Sequence, residues 1–172
     1  MAKKEIFITG SPHSGKSTLM NRVVESFPQR QGFVTLEIPG ENGLRKGFKI
    51  VTASGTETVL ASTEVETLIK VSRYSVIIEN LDSVIPELSE IKPGDVLYID
   101  EVGQMELYSE KFKELVRKYL EHDGLVILAI SQIYSDEFTQ ELLSRKGASV
   151  IEVTPENRDE AFEKVKELIG LK

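Results

Sequence analysis

The sequence predicts an α/β fold built on a mostly parallel sheet buried on both faces, with an added antiparallel β-hairpin region. Three observations lead there. Short, continuously apolar runs such as "EIFIT" (5–9), "VLYID" (96–100) and "LVILAIS" (125–131) have the character of two-sided strands. Segments with apolar residues at helical spacing alternate with them. A β-rich stretch at about 32–61 interrupts the alternation, its runs separated by Gly, Asn and Pro.

Taken in order, "EIFIT" is a first strand ending in a glycine-rich turn. From Lys16 to Phe27 the residues Leu19, Met20, Val23, Val24 and Phe27 fall on one helical face. "GFVTLEI" (32–38) and "KGFKIVTA" (46–53) flank "PGENGLR" and read as a hairpin, with "ETVLA" (57–61) as a third strand. "YSVIIE" (74–79) reads as a strand before a helix bearing Leu81, Val84, Ile85, Leu88 and Ile91, in which Pro86 shortens or kinks the end. "VLYID" follows the turn "KPGD", and Ser109 is placed to cap a helix carrying Phe112, Leu115, Val116, Tyr119 and Leu120. After "LVILAIS" come a short helix near 135–144 and a strand at 148–153. Thr154 as N-cap and Pro155 at the first helical position then open a last helix.

The chain of 172 residues suits a single domain, residues 1–172, with the hairpin region as an insert. No apolar run is long enough to cross a bilayer, and the five-residue run near the start is too short for a signal sequence. A cytoplasmic location is the expectation. The lack of cysteine excludes disulfides, thiolate metal sites and cysteine nucleophiles. A net charge of −7 argues against a broad nucleic-acid-binding surface. It leaves nucleotide binding open, because a phosphate site needs only a few focused donors.

Two segments carry chemistry. "GSPHSGKST" spans Gly10, Ser11, Pro12, His13, Ser14, Gly15, Lys16, Ser17 and Thr18, and it fits the phosphate-loop pattern G-x-x-x-x-G-K-[ST] in full. The loop turns backbone N–H groups around an anion, and the helix that follows points its positive end at the same place. Lys16 is the cation for the β- and γ-phosphates, and the Ser17 hydroxyl is a ligand for Mg2+. Ser11, Pro12, His13 and Ser14 read as loop fillers, with His13 contributing only backbone. The second segment is "VLYIDEVGQMEL". Asp100 ends an apolar strand, where a carboxylate orients Mg2+. Glu101 beside it is the candidate base that positions and deprotonates water. Of the seven arginines none is singled out as a transition-state cation. Arg158 sits at a helix start, against the dipole, which points to a partner; a structural salt bridge is the expectation.

Together these pieces resemble the THEP-type nucleoside triphosphatases, a family that includes the human cancer-related nucleoside triphosphatase. "QGFVTLEI" is similar to the family's Gly-Phe-x-Thr-x-Glu strand, "KGFKIVT" to its returning strand, "DEVGQMELYSEKF" to its Asp-Glu-Ile-Gly-Lys-Met-Glu-Leu block and "TPENRD" to its closing motif. The resemblance implies a RecA-like P-loop core and Mg2+-dependent hydrolysis of ATP, GTP and other nucleoside triphosphates with little base discrimination. It carries nucleotide roles to Gly10–Thr18, a metal role to Asp100 and a catalytic role to Glu101. The chain departs from the pattern at Gln104, where Lys is common, at Pro39, where Arg is usual, and at Ser72, where Gly is usual. Two other readings stay open: a P-loop kinase acting on a nucleoside, a nucleotide or an RNA end, and a slow nucleotide-dependent switch.

Overall fold

The structure, a computed structural model, describes residues 2–172. Five helices and nine strands alternate as β1 (Lys4–Gly10), α1 (Lys16–Val24), β2 (Arg30–Pro39), β3 (Arg45–Thr52), β4 (Glu57–Ser62), β5 (Lys70–Val71), β6 (Tyr74–Val76), α2 (Ile78–Leu88), β7 (Val96–Val102), α3 (Glu110–Leu120), β8 (Leu125–Ser131), α4 (Glu137–Leu143), β9 (Ala148–Glu152) and α5 (Arg158–Ile169). All nine strands form one sheet in the order β5-β6-β4-β3-β2-β7-β8-β1-β9.

Strand periodicity divides the core into two layers. Ile6, Ile8, Val96, Tyr98, Leu125, Ile127 and Ala129 face α1 and α5. The residues between them, Phe7, Leu97, Ile99, Val126 and Leu128, face α2, α3 and α4. The two-sided strands are therefore covered by helices on both faces, as the sequence predicts.

The expectation of a mostly parallel sheet is corrected. The pairings β2–β7, β7–β8, β8–β1 and β1–β9 are parallel, while β2–β3, β3–β4, β4–β6 and β6–β5 are antiparallel. The sheet is mixed in equal parts. The hairpin strands are not a separate appendage, because β2 pairs with β7 on one side and β3 on the other. Gly32 makes the β2–β7 junction possible: a Cβ there would lie 1.9 Å from the Tyr98 carbonyl oxygen.

Element boundaries differ from expectation in several places: β2 is longer at both ends, β7 runs past Asp100 to Val102, and four further differences have a local cause. α1 stops at Val24, since Pro28 bars Phe27 from helical backbone, although Phe27 still packs beneath it. The 74–79 strand is cut to Tyr74–Val76, because the chain turns into α2 at Ile78 and Asn80 donates to the Val59 carbonyl at 2.8 Å. α2 ends at Leu88, so Ile91 lies beyond it. The last helix starts at Arg158, with Asn157 rather than Thr154 before it. Asn157 Oδ1 accepts from the Thr154 N–H at 2.8 Å and its Nδ2 donates to the Glu152 carbonyl at 2.9 Å, which closes residues 154–157 into a turn.

The two-residue strand β5 was not expected. It joins β6 through a tight turn, Ser72–Arg73, with Ser72 at φ 57° in the left-handed region. Glycine is the residue for the first central position of such a turn. Ser72→Gly is therefore expected to raise stability by roughly 1 kcal/mol, read as a thermal midpoint a few degrees higher.

Candidate active site

The loop from Gly10 leaves β1 at the carboxyl edge of the sheet and runs into α1. Gly15 precedes α1 at φ 106°, where a Cβ would be strained and would also meet Arg158 Nε at 2.8 Å. No side chain caps α1, and its first turn holds no acidic residue. α2 and α5 also lack a side-chain cap, while α3 and α4 are capped by Ser109 and Asp136. The first N–H groups of α1 are left open to an external anion.

Within the loop, Ser11, Pro12, His13 and Thr18 are exposed, and so is Ser17 at the helix start. Ser14 is buried against Gly10, its Oγ 2.5 Å from where a Cβ on Gly10 would stand. His13 has φ 64°, and its carbonyl accepts from Arg158 Nη2 at 2.9 Å. Arg158 Nε also donates to the Ser14 carbonyl at 2.8 Å. The partner of Arg158 is thus loop backbone, not a carboxylate.

Asp100 follows Val96 and Tyr98 in the strand alternation, which turns it to the face of α1. It is 3% exposed, and its Oδ2 has no hydrogen-bond partner. Burial pushes its carboxyl up from 3.8 to about 6; the Ser17 hydroxyl opposes the rise, Glu101's charge adds to it and Lys16 lowers it. Asp100 and Ser17 therefore come together, as a carboxylate oxygen and a hydroxyl of the kind a hard divalent cation takes. Among the described residues no group of three or more His, Asp or Glu side chains encloses a metal site. A cation here would need further oxygens from phosphate and water, which is the usual condition for Mg2+.

Glu101 is the extra residue of a bulge. Asp100 pairs with Ala129 and Val102 with Ile130, so Glu101 is skipped in the register with β8. The displaced side chain is 33% exposed, and its Oε2 accepts from Lys16 Nζ at 2.9 Å. Lys16 Nζ also donates to the Gly10 carbonyl at 3.2 Å. Strand order explains how residues 85 apart in sequence meet: β7 and β1 are separated by β8 alone.

Glu106 is a residue that sequence reasoning missed. It lies in a single 3-10 turn, Glu106–Tyr108, next to the carboxylate pair and is 4% exposed. Burial, then the charge of Glu101, pushes its carboxyl well above the usual carboxylate range. Its place inside "DEVGQMEL" was visible, but its burial was not.

A crossover α/β fold with an uncapped helix end, a loop lysine and carboxylates at one sheet edge defines a protein of the nucleotide-phosphate-binding class. The comparisons narrow this. The chain belongs to the NTPase family of THEP-type nucleoside triphosphatases: the family model described as NTPase matches residues 5–166. The chain is 36% identical over 163 residues to the nucleoside-triphosphatase THEP1 of Thermotoga petrophila, covering 94% of this chain and 90% of that one. It is similar in structure to the crystal structure of THEP1 from Aquifex aeolicus, with a TM-score of 0.85 and 31% identity over 96% of this chain and 98% of that one. It is also similar to the solution structure of a human cancer-related nucleoside triphosphatase, with a TM-score of 0.81 and 29% identity over 97% of each chain. Among the described residues no helix is long and apolar enough to cross a membrane.

The buried Asp100 is harder to ionise in the folded protein than in the unfolded chain. Its contribution to stability is full below about pH 4 and is lost as the pH rises to about 6. Asp100→Asn is therefore expected to stabilise the metal-free protein at neutral pH by roughly 2–3 kcal/mol. The gain in thermal midpoint over wild type should shrink below pH 5, and an equal gain at all pH values would refute the assignment.

Proposed function

We propose that this chain hydrolyses nucleoside triphosphates, ATP, GTP and others, to the diphosphate and phosphate, with Mg2+ as cofactor. The carrying observation is the 2.9 Å contact between Lys16 and Glu101, which brings the loop cation and the bulged carboxylate to one point beside the α1 N-terminus. The parallel half of the sheet then reads as a RecA-like P-loop core within one domain, and the lack of cysteine suits a cytoplasmic protein.

In this reading the loop N–H groups of Gly10–Thr18 surround the phosphates, and Lys16 leaves Glu101 to bind the β- and γ-phosphate oxygens. That exchange frees Glu101. Its carboxylate accepts a proton from water, whose oxygen attacks the γ-phosphorus while the bond to the bridging oxygen breaks. Lys16 and the loop amides take up charge on the departing diphosphate. Ser17 and Asp100 would hold Mg2+, which when bound neutralises phosphate charge.

Phosphate release from a panel of triphosphates tests the reading. Glu101→Gln should lower kcat by about a hundredfold or more while nucleotide still binds, and Lys16→Ala should weaken binding and turnover together. Wild-type turnover in Glu101→Gln would sink the base assignment. Phosphoryl transfer to an added nucleoside, nucleotide or RNA end in preference to water would replace hydrolysis with kinase chemistry.

A further inference from the structure

Glu106 has a carboxyl group with no evident use. Among the described residues it forms no ion pair, and the nearby cation, Lys16, is bound to Glu101. What it faces is legible at Gly103. A Cβ on Gly103 would lie 3.0 Å from Glu101 Oε1 and 3.2 Å from Glu106 Oε2. Both carboxyl groups thus border the space beside Gly103, the residue of the segment that has no side chain. The turn is held closed by the Leu107 N–H on the Gly103 carbonyl at 3.1 Å and the Ser109 N–H on the Glu106 carbonyl at 3.0 Å.

The oxygens are also divided. Lys16 takes Glu101 Oε2, which leaves Oε1 on the Glu106 side. The backbone N–H groups of Glu106 and Gly103 favour an ionised Glu106, but burial beside a second carboxylate outweighs them, because such a charge has no cation to pair with. The neutral acid instead has an O–H to donate. The charged groups around it are Glu101 and Asp100 of β7 and, through Glu101, Lys16. From the helices packed on the turn, Asp82 of α2 is taken up by Ser109 and Glu110 of α3 by Lys113.

Resting on the reading of Glu101 as base, we propose that Glu106 is a positioning residue whose neutral carboxyl donates a hydrogen bond across Gly103 to Glu101 Oε1. The need for it arises from the mechanism itself. Glu101 sits on a bulge, and nucleotide removes its Lys16 partner. Glu106 then keeps the carboxylate aimed, with Oε2 turned to the water.

Three variants of the full chain test this by steady-state hydrolysis of ATP and GTP with Mg2+, alongside thermal melts. Glu106→Met removes the donor at similar volume and should lower kcat about tenfold or more with little change in KM. Its thermal midpoint should be equal or higher, since a buried unpaired acid is gone. Glu106→Gln keeps an N–H donor and should restore kcat to within about threefold of wild type. Glu106→Leu is the second apolar variant should the methionine protein fail to fold. Wild-type kcat in a folded apolar variant overturns the proposal, as does a Gln variant as impaired as the apolar one. A fully active Glu101→Gln protein in the same assay would instead remove the base reading, so the two failures are told apart.

Discussion

The site depends on a gap one strand wide. Because β8 separates β1 from β7, the loop after β1 and the carboxylates at the end of β7 stand two strand spacings apart, about 10 Å. A lysine and a glutamate side chain together span that distance, and here Lys16 meets Glu101 between the strands. The same gap is of the size that a terminal phosphate and one water fill. The parallel half of the sheet is thus a spacer, and the Lys16–Glu101 contact measures its width.

Around that gap the chain keeps groups that a fold optimised for stability alone would not keep. Asp100 is buried with an oxygen unpaired, Glu106 is buried without a cation, and Ser14 Oγ in the loop is buried without a hydrogen-bond partner. Each costs free energy in the isolated protein. Each is also a group that phosphate, a cation or a neighbouring carboxyl satisfies. The polar groups that hold the scaffold are treated differently: Ser109 caps α3, Asp136 closes a capping box on α4, and Arg145 pairs bidentately with Glu5. Unsatisfied groups concentrate where chemistry is proposed, which is the expected cost of a preorganised site.

Local chemistry made part of this legible in the sequence. The loop at 10–18 needs glycines and a lysine at set spacing, and a continuous apolar run places Asp100 near the end of a strand, although β7 runs on to Val102. Pairing partners are another matter. A run such as "GFVTLEI" is compatible with either neighbour orientation, so β2 could not be seen to join a parallel strand on one side and an antiparallel one on the other. The Thr154–Pro155 pair obeys the rule for a helix start, yet the Asn157 side chain wins by bonding back to residues 152 and 154. Burial of Glu106 is likewise a tertiary fact: in the chain it is one more glutamate, between Met105 and Leu107, and only the turn over Gly103 puts it inside.

Arg158 joins these levels. At the first position of α5 a cation opposes the helix dipole, a cost that a surface salt bridge offsets only weakly. Its actual partners are the carbonyls of His13 and Ser14. In a trans peptide the C=O and the next N–H point in opposite directions. Drawing the Ser14 carbonyl outward towards Arg158 therefore turns the Gly15 N–H the other way, into the loop. In the proposed reading the guanidinium does not have to meet the nucleotide, because it acts through the orientation of the Gly15 N–H. The same contact explains why position 15 has room for nothing larger than glycine, since the Arg158 side chain occupies the space a Cβ would take. A residue some 140 positions away in sequence thus shapes the loop as directly as the glycines within it.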